Sequence, residues 1–218
     1  NKGNEEMEKR IRKCAVIGAA PVTDGSVFDE MEQGSYVICA DGGMDSALKY
    51  GLKPDLVIGD FDSTEMESPP AGVETIRLKT EKDDTDMLAA VMEGLRRGYR
   101  DFVLYGALGG ERFDHSFANL CVLQYLVKNG CKALICDGHC RVFLINDGRL
   151  ILSGVSGKTV SVYPFGGASC MVSYMGLKYP LTRAVLTSDN PRGTSNVVVG
   201  SSAQITVHSG SALIIVER

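Results

Sequence analysis

Apolar residues follow two alternating patterns over the first two thirds of the chain. Short, β-rich apolar runs cover 14–18, 36–40, 56–59, 73–78, 102–106 and 133–136, and their length and composition predict strands. Between them the period becomes helical. Over 84–97, Met87, Leu88, Val91, Met92 and Leu95 recur on one face, with Asp83 or Asp84 expected to cap the start and Gly98 the end. A second helix is predicted over 115–129, stopped by Gly130. It is apolar on most sides (Phe117, Leu120, Val122, Leu123, Leu126, Val127) and is expected to be largely buried. A shorter helix is predicted over 44–50, ahead of Gly51. Strand and helix in alternation predict a mostly parallel sheet covered on both faces.

Beyond about Ile145 no convincing amphipathic helix remains. Strands are predicted at 150–152, 159–163, 170–174, 184–187, 196–199, 204–208 and 212–216, separated by Gly, Ser, Asn and Pro turns. The expected fold is therefore α/β: an N-terminal three-layer α/β/α domain with a mostly parallel sheet over 1–145, followed by a small C-terminal antiparallel β-sandwich over 146–218.

Composition narrows the function classes. A net charge of −4, with no Lys/Arg-rich run, argues against nucleic-acid binding. The apolar stretches are too short for a membrane-spanning helix. The polar start has no apolar core of a signal peptide, and Met7 is the expected start. The seven cysteines sit mostly inside apolar runs, as expected of reduced thiols in a cytoplasmic protein. Cys136, His139 and Cys140 lie close together, but no second cysteine pair has zinc-site spacing, so no structural zinc is expected.

The candidate chemistry lies in aspartate-bearing turns. They read Ala40-Asp41-Gly42-Gly43, Gly59-Asp60-Phe61-Asp62-Ser63, Lys82-Asp83-Asp84-Thr85-Asp86, Gly109-Gly110-Glu111-Arg112-Phe113-Asp114-His115 and, more weakly, Cys136-Asp137-Gly138. In a parallel sheet, turns after strands gather at the carboxyl edge, where ligands bind. One such turn is best explained as a cap or turn former. Four on one edge call for a cation, and hard carboxylate oxygens suit Mg²⁺ with substrate phosphates. Asp60 and Asp62 can approach one ion, and Asp86 can add a third oxygen. Gly42 and Gly43 allow close backbone approach to phosphate, Arg112 can grip phosphate through two hydrogen bonds, and Lys79 and Lys82 can add positive charge. His115 stands at a predicted helix start, where it can cap, orient a substrate or act as acid or base. Asp137 is explained by a plain turn. No P-loop and no protein-kinase signature is present.

In this order the motifs resemble thiamine pyrophosphokinases of the bacterial type. The resemblance extends to Gly-Leu-Lys-Tyr-Pro-Leu (176–181) and Gly-Thr-Ser-Asn (193–196) and spans nearly the whole chain beyond the first dozen residues. It implies an ATP- and Mg²⁺-binding α/β domain, a β-sandwich that binds thiamine, and a homodimer with thiamine held where subunits meet. The implied reaction is transfer of the diphosphoryl group of ATP to the hydroxyl of thiamine, giving thiamine diphosphate and AMP. By the same resemblance Asp60, Asp62 and Asp86 hold Mg²⁺. Asp41, Gly42, Gly43, Lys82, Asp83 and Arg112 line the ATP site. Asp114, His115, Tyr179, Ser195 and Asn196 serve the acceptor. Tyr179 offers a ring to an aromatic cation, and Ser195 and Asn196 offer hydrogen bonds.

The competing readings are a pyrophosphokinase acting on another hydroxymethyl heterocycle such as a pterin, a non-catalytic nucleotide-binding regulator, and a Mg²⁺-dependent phosphohydrolase. Acceptor choice would be decided in the second region. The full carboxylate set argues against mere binding, and no placed nucleophile for hydrolysis is evident.

Overall fold

The structure, a computed structural model, describes residues 12–61, 69–79 and 84–218. Asp62, Lys82 and Asp83 lie outside the described residues. The chain forms two compact units, Asn1–Gly138 and His139–Arg218. The division precedes the expected 145/146 boundary because Cys140–Ser153 is one uninterrupted strand belonging to the second unit.

The described residues of the first unit form six strands: β1 (Cys14–Ile17), β2 (Tyr36–Ala40), β3 (Leu56–Gly59), β4 (Glu74–Arg77), β5 (Asp101–Tyr105) and β6 (Lys132–Cys136). All pair in parallel, in the order β6-β5-β1-β2-β3-β4. Among the described residues three helices connect them: α1 (Gly43–Lys49), α2 (Asp86–Arg96) and α3 (Phe113–Lys128). The pleat sends alternate residues to opposite faces. On one face Ala15, Ile17, Val37 and Cys39 pack with Met44 and Ala47 of α1, and with Val27 and Phe28 of the 3-10 turn Gly25–Glu30. On the other, α2 sits so close that a Cβ on Gly94 would lie 2.8 Å from the Phe102 ring and 3.3 Å from Cys14 Sγ. The expected layering is thus present, with helices on both faces.

Local chemistry explains most element ends. Gly98, Gly130 and Gly51 follow the three helices with φ of +96°, +73° and +73°, a region that costs glycine nothing. The start of α2 differs from expectation: Thr85, not Asp83 or Asp84, is its cap, and its hydroxyl accepts the Leu88 N–H at 3.2 Å. At the other end Arg97 donates to Glu93, Tyr36 and Glu74, which anchors α2 over the sheet. Helix α3 is less buried than its composition predicts. Val122, Leu123 and Leu126 are buried, but Phe113 is 79% and Phe117 51% exposed. Its apolar residues cover more of the circumference than the sheet and α2 can shield.

The second unit consists of β7 (Cys140–Ser153), β8 (Thr159–Pro164), β9 (Ser169–Met175), β10 (Leu181–Thr187), β11 (Asn196–Val197) and β12 (Ser202–Glu217). All pairings are antiparallel. Two strands expected at 204–208 and 212–216 are one, because β12 runs on through an irregularity between Val207 and Ser211. Before that bend β12 pairs with β9; after it, with β8. The bend therefore turns one strand from one leaf of the unit to the other, as bulges do. Both leaves bury side chains in one core that includes Val160, Val172, Leu186, Ile205 and Ile214.

One buried group in that core is unsatisfied. Tyr174 is 4% exposed, its hydroxyl has no partner among the described residues, and burial pushes its pKa upward. An unpaired buried hydroxyl costs about 1–3 kcal/mol. Tyr174→Phe is therefore expected to raise the melting temperature by about 2–4 °C per kcal/mol recovered. Calorimetry that shows a drop of several degrees would reveal a hydrogen bond at this position.

Candidate functional site

The strand order creates the site. From β1 the chain turns to β2 on one side, whereas β5 lies on the other, so the connections leaving β1 and β5 diverge. Ligands bind at such a switch point, outside the carboxyl ends of the strands. A cavity of about 420 Å³ opens there. Its walls are residues 18–21 after β1, Ala40 and Asp41 after β2, residues 84–87 at the start of α2, residues 109–112 after β5, and His115, Ala118 and Asn119 of α3. The wall at 18–21 carries no charged motif, which is why sequence reasoning passed over it. Gly18 is essential to its shape: a Cβ there would lie 2.6 Å from the Gly106 carbonyl oxygen.

Three carboxylates converge at this edge. Oxygens of Asp41, Asp60 and Asp86 lie within 4.8 Å of one another, the only such acidic group among the described residues. Each is aimed by backbone. Asp41 follows β2 with φ +46°, a conformation aspartate tolerates, and its N–H donates to Ile58 O at 2.8 Å. Its Oδ1 accepts the Phe61 N–H at 3.0 Å, which holds the turn that carries Asp60. Gly59 permits this approach, since a Cβ would stand 3.0 Å from Asp41 Cα. Asp86 is the first residue of α2, where the helix dipole favours a negative side chain. At an effective dielectric near 20, carboxylates at this spacing repel by roughly 3 kcal/mol per pair. A set of hard oxygen donors so arranged fits Mg²⁺.

The expected grouping was Asp60, Asp62 and Asp86, with Asp41 facing the nucleotide. Asp60 and Asp86 do come together. Asp41 joins them because β2 and β3 are neighbours, a fact of strand order that spacing does not contain. Asp62 lies outside the described residues, as do Lys82 and Asp83 of the expected ATP site. Gly43 is buried, and the space where its side chain would stand is filled by the Ile17 carbonyl. The glycine thus seats α1 on the end of β1.

The loop after β5 is tied to α3. Asn119, 8% exposed, donates to Ala107 O at 2.8 Å, and the Gly109 N–H donates to Ser116 Oγ at 3.0 Å. Gly109 and Gly110 take φ of +87° and +77°. Arg112 and Asp114, both exposed, form a two-pronged pair at 2.9 and 2.7 Å. The guanidinium lowers the Asp114 pKa to about 2. Arg112 therefore spends on Asp114 the fork expected to grip phosphate. An exposed pair is weak and salt-screened, so a phosphate can compete for it. His115 lines the cavity.

In the second unit, Tyr179 is 61% exposed and the Lys178 ammonium lies 5.6 Å from its ring centroid. Ser195 is exposed, with φ +58°, and its N–H donates to Ser161 Oγ at 3.0 Å. Asn196 is buried, at 7% exposure, and its side-chain amide bonds the backbone of Tyr179.

Comparison with known families decides the relationship. Residues 28–135 match the thiamin pyrophosphokinase catalytic domain, and residues 149–214 match the thiamin pyrophosphokinase vitamin B1 binding domain. Thiamine pyrophosphokinase 1 of Oryza sativa subsp. japonica is 30% identical, over 92% of this chain and 76% of its own length. The chain belongs to the thiamine pyrophosphokinase family. Thiamine pyrophosphokinase 2 of the same plant is 29% identical, over 94% of this chain and 76% of its own. The fold is that of the family too. The crystal structure of thiamine pyrophosphokinase from Bacillus subtilis superposes with a TM-score of 0.84, covering 94% of this chain and 99% of that one at 22% identity. Thiamin pyrophosphokinase from Candida albicans gives 0.74, over 97% and 90%, at 18% identity. With the vitamin B1 binding match in the β unit, a pterin-type acceptor is not favoured.

Proposed function

We propose that this protein is an ATP:thiamine diphosphotransferase, converting ATP and thiamine to AMP and thiamine diphosphate. The observation that carries the reading is the catalytic and vitamin B1 binding matches in order, the first spanning the Asp41, Asp60 and Asp86 cluster. ATP enters the cavity at the switch point, whose volume suits a small ligand. Asp41, Asp60 and Asp86 hold Mg²⁺, with Asp62 two residues beyond Asp60. Bound Mg²⁺ supplies charge neutralisation on the diphosphoryl oxygens. Gly42, Lys82 and Asp83 are assigned to the nucleotide side, while Gly43 acts by seating α1 on β1. Arg112 exchanges Asp114 for phosphate and adds two donors.

The thiamine hydroxyl oxygen bonds to the β-phosphorus. The bond from that phosphorus to the oxygen bridging it to the α-phosphorus breaks, and AMP departs with the bridging oxygen. The hydroxyl proton leaves the attacking oxygen for solvent water, with His115 proposed as a side-chain acceptor. Positioning and electrostatics dominate such transfers, so a strong general base is not required. Tyr179 stacks on the thiamine cation, and Ser195 presents its hydroxyl to the acceptor.

The protein acts as a homodimer. Phe113, Met175, Tyr179 and Val199 are exposed apolar or aromatic side chains of the kind a second copy covers. Seven reduced cysteines, five of them buried, fit a reducing cytoplasm. Among the described residues no helix is long and apolar enough to cross a membrane. The deciding experiment incubates the protein with MgATP and thiamine and separates the products. AMP and thiamine diphosphate in equal amounts are expected; ADP or free phosphate instead would overturn the proposal.

A further inference from the structure

Asn196 stands in the motif expected to touch the acceptor, yet its side chain is already committed. Its Oδ1 accepts the Tyr179 N–H at 3.0 Å and the Val197 N–H at 2.9 Å. Its Nδ2 donates to Tyr179 O at 2.8 Å. An amide side chain can make four hydrogen bonds, two through each end. Both acceptor positions and one of the two donors are therefore spent within the protein, and the residue is 7% exposed.

The location explains the arrangement. Residues 176–179 run antiparallel to residues 197–199: Val199 N–H donates to Gly176 O, Lys178 N–H donates to Val197 O at 2.8 Å, and Leu177 faces Val198 across a bridge. The main chain of Asn196 faces Val160 of β8, so Tyr179, which lies opposite it, receives no backbone hydrogen bond from that residue. The Asn196 side chain supplies both an acceptor and a donor instead. Pro180 follows and has no N–H to extend the pairing. The amide thus fixes both backbone groups of the residue whose exposed ring already attracts a cation.

We infer that Asn196 is a positioning residue for the acceptor, acting through Tyr179 and not by touching thiamine. The inference rests on the proposed activity and assigns one residue of its acceptor site. Holding the backbone of Tyr179 confines its ring before ligand arrives, so less freedom is lost on binding.

A double-mutant cycle in the full-length protein tests this, with thiamine and ATP binding measured by calorimetry. Asn196→Ala and Tyr179→Ala are each expected to weaken thiamine binding about tenfold with ATP binding unchanged. If Asn196 acts through Tyr179, the double variant binds thiamine no more than about twofold more weakly than Tyr179→Ala alone. Asn196→Asp keeps the two accepted bonds and loses the donated one; it is expected to fall between wild type and Asn196→Ala, and it serves if the alanine variant does not fold. Amide exchange at Tyr179 provides a ligand-free readout and should quicken in Asn196→Ala, which loses the acceptor for the Tyr179 N–H, and much less in Asn196→Asp, which keeps it. Multiplicative losses in the double variant, or unchanged Tyr179 exchange in Asn196→Ala, overturn the inference while leaving the activity standing. A wild-type protein that binds no thiamine overturns the activity, and this inference with it.

Discussion

Asp86→Asn is expected to lower turnover of MgATP and thiamine by roughly 10²–10³-fold while the protein stays folded. The side chain is one of three carboxylates with oxygens inside 4.8 Å, and it is held on the first turn of α2. The substitution keeps shape and removes charge. Two consequences separate a metal-holding role from a structural one. Without metal, losing one charge of the cluster relieves repulsion of roughly 3 kcal/mol per pair, against a helix-dipole loss of about 0.3–1 kcal/mol. The metal-free variant should melt at or above the wild-type temperature. With MgATP, wild type should gain stability by mass action and the variant should gain much less. Thermal melts with and without MgATP, beside the turnover assay, check both. A variant with wild-type turnover and a full MgATP shift would remove Asp86 from the site.

Gly43→Ala is expected to destabilise the protein by about 3 kcal/mol or more, although alanine is the better helix former. A Cβ at this position would lie 1.9 Å from Ile17 O, 2.6 Å from Ile17 C and 3.0 Å from Gly18 O. All three are backbone atoms, so no side chain can rotate away. The helix-propensity gain of about 1 kcal/mol is smaller than the cost of moving α1 off β1. Asp41 is two residues upstream, and residue 18 opens the cavity wall, so the site should be displaced together with the core. Thermal melts should show a loss of about 10 °C, and MgATP affinity should fall. A neutral or stabilised Gly43→Ala would mean that α1 does not approach β1 this closely.

These two residues mark the limit of what sequence conveys here. Asp86 was legible: it closes an acidic turn ahead of a helix whose apolar face repeats at 3.6 residues. Gly43 was legible as a glycine at a strand end but not as a packing contact, because its partner is a backbone carbonyl twenty-six residues earlier, at Ile17. Thr85 went unnoticed as the cap because Asp84 beside it is an equally good capping type, and only backbone geometry separates them. The exposure of Phe117 was missed for a related reason: composition reports how apolar a helix is, not how much cover its neighbours supply.

Local rules determined a great deal by themselves. The switch from strand–helix alternation to strands alone separated an α/β part from a β part. The placement of aspartates after apolar runs put them at the carboxyl ends of parallel strands. Motif order supplied the family resemblance. All of this depends on neighbours a few residues apart, whose preferences survive without the rest of the chain. Tertiary structure decided the remainder. The order β6-β5-β1-β2-β3-β4 opened the cavity between the connections after β1 and β5, and it set Asp41 beside Asp60 and Asp86. The fold of the β unit set the Asn196 amide on the backbone of Tyr179. The physical reason is the same in each case: distant segments meet through close packing and backbone hydrogen bonds, and the residue spacing of either segment alone does not record where the other will lie.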